Sequence, residues 1–97
     1  MTEAERERLV MLAEEAGEVV QIVGKILRHG YESYHPDDPD QVTNREHLTN
    51  EIRDIDGIIY GMLENGDLKL DNFGLEIAIA TWQRKLKWTH HQDKNHD

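Results

Sequence analysis

The sequence has no cysteine, two prolines, one phenylalanine and no long apolar run. Without cysteine there is no disulfide framework and no thiolate metal site, so nothing points to an oxidising compartment. The longest nearly apolar stretch, Ala78 to Trp82, is far shorter than the roughly 20 residues that span a bilayer. Positive charge is scarce too: eleven Lys+Arg stand against twenty Asp+Glu, a net charge of −9. That balance excludes a nucleic-acid binder working through a basic face, and a polybasic membrane-surface module. The segment from Met1 to Arg8 is acidic and lacks the apolar core of a signal peptide, so a cytoplasmic location is expected. Ninety-seven residues suit one small domain, taken as 1–92, followed by a frayed tail over 93–97 that has no apolar side chain.

What is present reads as helix. Thr2 with Glu5 forms the S/T-x-x-E pattern of a capping box, and a helix-rich stretch runs from there to about His29, closed by Gly30. Thr43 with Glu46 repeats the pattern before a second helix that runs to about Asn65, ended by Gly66. Asp71 or Asn72 is placed to cap a third helix reaching roughly Thr89. The segment Gly30–Val42, with Pro36, Pro39 and three aspartates (Asp37, Asp38, Asp40), reads as a loop. No segment alternates with period two, so the expected class is all-α. The expected architecture is an antiparallel bundle of three main helices, completed to four-helix bundles by oligomerisation.

On a helical wheel Leu9, Leu12, Ala13, Ala16, Val19, Val20, Val23, Ile26 and Leu27 share a broad apolar face of the first helix. Glu15 falls at its edge, and Glu18 lies further round between Met11 and Ile22. The second helix shows the same irregularity: Leu48, Ile52, Ile55, Ile59, Met62 and Leu63 form its stripe, with Glu51 at the edge and Asp54 further round. Either acidic pair alone is compatible with an ordinary solvated helix face. If the helices pack antiparallel, however, both pairs meet along one side of the seam, where four carboxylates repel without a cation. Oxygen ligands of this kind suit Mg²⁺, with Mn²⁺ as a substitute.

Glu14-Glu15-Ala16-Gly17-Glu18 followed by Glu51-Ile52-Arg53-Asp54 reads E-E-x-x-E then E-x-x-D. In this the chain resembles the MazG-like all-α nucleoside triphosphate pyrophosphatases, in their short single-domain bacterial and phage form. The resemblance runs from Leu12 to Leu63, about half the chain. It implies hydrolysis of a (deoxy)nucleoside triphosphate to the monophosphate and pyrophosphate. It also implies Mg²⁺ held by Glu15, Glu18, Glu51 and Asp54, with Glu14 holding a second metal or orienting water. Two alternatives stay open: a non-enzymatic helical interaction module, and a related pyrophosphatase acting on another pyrophosphate such as phosphoribosyl-ATP.

A triphosphate can approach so acidic a site only with metal ions and cations around it. Lys25, two turns beyond Glu18, is the first candidate, as both phosphate ligand and catalytic group. Arg28, Arg45 and Lys85 follow, with Lys87 a further option on the third helix. The Asn44–Arg45 start of the second helix offers N–H groups to an anion, and the resemblance includes this pair. A base would stack on Tyr31, Tyr34, Trp82 or Trp88. Trp82 shares a helical face with Leu75, Ala78, Ile79 and Leu86 and is expected in the core, while Trp88 suits a subunit contact. His29 and His47 are near enough in register to approach the acidic site, but are expected to be structural or exposed. Three helices with apolar flanks on more than one side leave a monomer incompletely buried, so a homodimer or homotetramer is expected.

Overall fold

In the computed structural model, which describes residues 1–93, three α-helices account for most of the chain, and among the described residues there is no strand. The expected tail over 93–97 lies outside the described residues except for Asp93. Helix α1 spans Glu3–His29. Both halves of its capping box form: the Glu5 N–H donates to Thr2 Oγ1 at 3.1 Å, and the Thr2 N–H to Glu5 Oε1 at 2.8 Å. The bond from the Thr2 backbone holds the Glu5 carboxyl below its ordinary value. Helix α2 spans Asn44–Glu64 and begins with the Thr43 half of the same device, Glu46 N–H to Thr43 Oγ1 at 3.2 Å. No helix among the described residues is long and apolar enough to cross a membrane.

The third helix departs from expectation at both ends. Asp71 and Asn72 sit in a single 3₁₀ turn, Leu70–Asn72, and cap nothing. Helix α3 begins later, at Leu75, after Gly74 at φ +136° has broken the path, and it ends at Lys85. The remaining turn, Leu86–Trp88, tightens to 3₁₀.

The α1–α2 hairpin is antiparallel, and a seven-residue rhythm sets its seam. Arg8, Leu12, Glu15, Val19, Ile22 and Ile26 are among the shielded positions of α1, and Asn44, Leu48, Glu51, Ile55, Ile58 and Met62 among those of α2. Each series steps by four and three residues, the spacing at which two helices keep one face toward each other. Ile22, Met62 and Asn44 are buried there. Arg8 locks the open end of the hairpin through a two-bond ion pair with Asp67, just beyond α2, and its guanidinium holds the Asp67 carboxyl below the usual range.

One partner helix covers only one such seam. The parallel series Leu9, Ala13, Ala16, Val20, Val23 and Leu27, six of the nine residues of the apolar face expected on α1, therefore faces outward. Val20 is 71% and Leu27 82% exposed. Helix α3 is not laid along the hairpin either; its main packing is against the turn that follows it. Trp82, expected in the core, is half-exposed, as are Ile79 and Leu75 or more so, and of that face only Leu86 is buried. The shape agrees: a radius of gyration of 16.6 Å exceeds the ~12.5 Å of a compact chain this long, and the extents are 43 × 40 × 18 Å. Since α1 alone is roughly 40 Å long, the second long dimension comes from the α3 segment projecting sideways.

Candidate metal centre

Three of the four carboxylates singled out in the sequence converge. One ligand oxygen from each of Glu15, Glu18 and Glu51 lies within 4.8 Å of the others. Two turns of α1 and one position of α2 build the group, because Glu15 and Glu51 occupy seam positions where an apolar residue is usual. The wheel reading had them at the edge of the apolar stripe; the seam is rotated from the stripe's centre and takes them in. Glu15 Oε2 and Glu51 Oε2 are both shut off from solvent and accept no hydrogen bond. A buried acceptor without a donor is costly, so these oxygens require a proton or a cation between them. In the metal-free protein the proton prevails. The Glu51 carboxyl is pushed up to about 8, first by sharing a proton with the Glu15 carboxylate, then with Glu18, then by desolvation and by the charge of both neighbours. Three carboxylate oxygens with two unsatisfied lone-pair sites are the donor set of a small hard cation, so Mg²⁺ or Mn²⁺ fits the residues present.

Asp54 is not part of this group. It is one helical turn on from Glu51 and is exposed, facing a separate cleft of about 540 Å³ that it shares with Glu14, Glu15, Arg8 and Arg53. The floor of that cleft is partly apolar, with Met11 and Ile58 beside Gly57 and Gly61. The acidic residues thus line one side of the seam, with Glu15 common to the triad and to this cleft.

On the other side of the triad a 220 Å³ pocket is bounded by Glu18, Glu51, Gln21, Ile22, Lys25 and His47. Lys25 and His47 also line the next space, a cavity of about 370 Å³ under the α1–α2 loop, together with Arg28, His29, Tyr34 and His35. Lys25 thus lines both spaces, and Arg28 the larger one. His47 is exposed, as expected, and also lines the pocket beside the acidic site. Its register, four residues before Glu51 on the same face of α2, was the available signal. His35 and Gln21 were not singled out in the sequence, and nothing local marks them.

The Asn44–Arg45 pair is differently employed. The Asn44 N–H donates to Ser33 O and the Arg45 N–H to Tyr31 O, each at 2.8 Å, while those of Glu46 and His47 bond Thr43. The first four N–H groups of α2 are thus taken, and none is left for an anion. Asn44 is buried with its amide donating to Gly30 O at 3.1 Å, a tie that fixes where the loop leaves α1. Arg45 bonds Glu32 at 2.6 Å and lies 4.4 Å from the centre of the Tyr31 ring, so it braces the loop from outside the cavity. The loop is further fixed by Asp38, whose carboxylate accepts from the N–H groups of Asp40 and Val42 and is held below its usual range by them. Lys85 is exposed in the last turn of α3 and lines neither the triad pocket nor the cavity. The reason is the sideways course of α3.

Comparison with known protein families, with curated proteins and with solved structures returns no match.

Proposed function

We propose that this chain is a divalent-metal-dependent nucleoside triphosphate pyrophosphohydrolase, working in the cytoplasm on a (deoxy)nucleoside triphosphate. One observation carries the reading: a carboxylate triad with two buried, donorless oxygens lies next to a pocket walled by a lysine and a histidine. Glu15, Glu18 and Glu51 would hold Mg²⁺, with Asp54 and Glu14 available on the adjoining cleft. A bound Mg²⁺ supplies charge screening of the phosphates and a lowered pKa for the attacking water. Lys25 balances the polyphosphate charge where the two pockets meet. Glu14 orients the water from the cleft side. The water oxygen bonds to the α-phosphorus, the bridge to the β-phosphorus breaks, and its electron pair leaves on pyrophosphate while the water's protons pass to the carboxylates and solvent.

The same reading includes a homodimer or homotetramer. The outward series on α1 and the bare apolar face of α3 are the surfaces that an assembly into four-helix bundles would cover. Those faces also suit the other reading, a helical interaction module, but that reading gives no role to the donorless oxygens.

Phosphate release from a panel of (d)NTPs, coupled through added inorganic pyrophosphatase, tests the proposal in Mg²⁺ or Mn²⁺. Wild type should exceed the Glu15→Gln/Glu51→Gln double variant by at least about a hundredfold on one nucleotide or more. Equal rates across the whole panel would remove the enzyme reading.

A further inference from the structure

The cavity under the α1–α2 loop has an unusual lining for a chain of net charge −9. Lys25, Arg28, His29, His35 and His47 all face it, and none of its lining residues is acidic. Basic groups in the last turn of a helix have an ordinary explanation, since they offset the negative end of the dipole. That explanation covers Arg28 and His29. It does not cover His35 on the loop, or His47 in the first turns of α2, where the dipole has the opposite sign. Lysine and arginine have only donors to offer, and each imidazole adds at least one acceptor or donor nitrogen. Ser33 adds a hydroxyl, while the Asn44 amide in the lining already donates to Gly30 O.

The wall is also rigid. Asp38 ties the loop internally, Asn44 ties its start, and Arg45 with Glu32 and Tyr31 clamps its outer face. A preformed space of about 370 Å³ is far larger than one orthophosphate needs. Two permanently charged side chains, Lys25 and Arg28, leave α1 about one helical turn apart and line the same space, a charge that suits two linked phosphates better than one.

We infer that this cavity is a polyphosphate subsite, which takes the pyrophosphoryl end of the substrate and also binds free pyrophosphate. The inference rests on the proposed hydrolysis for the substrate's identity, but the anion pocket itself does not depend on that chemistry. It fixes a polarity. The β- and γ-phosphates enter past Lys25 and His47, the α-phosphate lies at the triad, and the nucleoside points along the seam beyond the triad. There the 540 Å³ cleft offers Met11 and Ile58 as an apolar wall. The aromatic loop residue Tyr34 then flanks phosphates and stacks on no base.

Calorimetric titration of the full chain with inorganic pyrophosphate in EDTA tests the pocket without any metal. Wild type should bind, and Arg28→Ala should bind at least about tenfold more weakly, the loss of one charge-assisted contact. Arg6→Ala, the same charge change on an exposed position at the far end of α1, should bind as wild type does. Excess tripolyphosphate should displace pyrophosphate, and excess free nucleoside should not. Arg28→Ala binding like wild type, no binding by wild type, or displacement by a nucleoside would each overturn the inference. If pyrophosphate binds as described while no nucleotide is hydrolysed, the pocket stands and the proposed function falls. If nucleotides are hydrolysed while Arg28→Ala is silent, the reverse holds.

Discussion

Loading the carboxylate triad with Mn²⁺ should expel close to one proton per chain, because the Glu51 carboxyl titrates at about 8 when no cation is present. At pH 7 such a group is about nine-tenths protonated, and a metal ligand must be ionised, so binding releases ~0.9 proton. The same linkage sets the pH dependence. The apparent Mn²⁺ dissociation constant should fall about ninefold from pH 6 to 7 and about fivefold from pH 7 to 8, then level off. Calorimetry in buffers of different ionisation enthalpy reads the proton count directly, as the slope of observed heat against buffer heat. A flat slope at pH 7 would show that no shared proton occupies the site. Glu51→Gln supplies the complementary test, since its amide mimics the protonated carboxyl. The folded-state pKa lies above the ordinary 4.5, so the metal-free wild type should lose stability as pH rises from about 4.5 to 8. The Gln variant should lack that loss, melting higher than wild type at pH 8 and about equally at pH 4.5. It should also lose most of the Mn²⁺-induced rise in Tm that wild type shows. Identical pH profiles for the two metal-free proteins would refute the coupling between Glu15, Glu18 and Glu51.

Two further outcomes follow from packing. Met62, 2% exposed at the hairpin seam, is one of few buried side chains, so Met62→Ala should cost about 2–4 kcal/mol in urea denaturation. The outward α1 series predicts that Val20→Lys/Leu27→Lys, both at well-exposed positions, shifts an oligomer to monomer in light scattering without loss of helical circular dichroism. A wild-type chain that is already monomeric at micromolar concentration would contradict the assembly proposed above.

The helices were legible because their signals are local. Thr2, Thr43, Gly30 and Gly66 mark caps that act within one turn, and α1 and α2 begin and end within a residue or two of the places those signals indicate. The third helix was misplaced for a local reason as well: Gly74 competes with Asp71 and Asn72, and its φ of +136° resets the start. The candidate site was half legible. Spacing gave Glu15, Glu18 and Glu51 as neighbours on two helices, while Asp54, on the same side of the seam, stands one turn along α2 and outside the triad. The N–H groups of Asn44 and Arg45, taken for an anion site, are spent on Tyr31 and Ser33 carbonyls, a use that depends on how the loop folds back.

By itself the sequence determined the all-helical class, the helix termini and the acidic pairs, since each follows from interactions spanning four residues or fewer. Only the tertiary structure decided which face of α1 meets α2. The apolar surface on α1 is wide enough for either of two seven-residue seams, and the choice rests on contacts between distant residues, Arg8 with Asp67 being 59 positions apart. That choice buries Glu15 and Glu51 in the seam and leaves Val20 and Leu27 outside. It also brings Lys25 and His47 together between the carboxylates and the basic cavity. A one-residue rotation of α1 would have given an ordinary apolar hairpin with a solvated acidic face and no site.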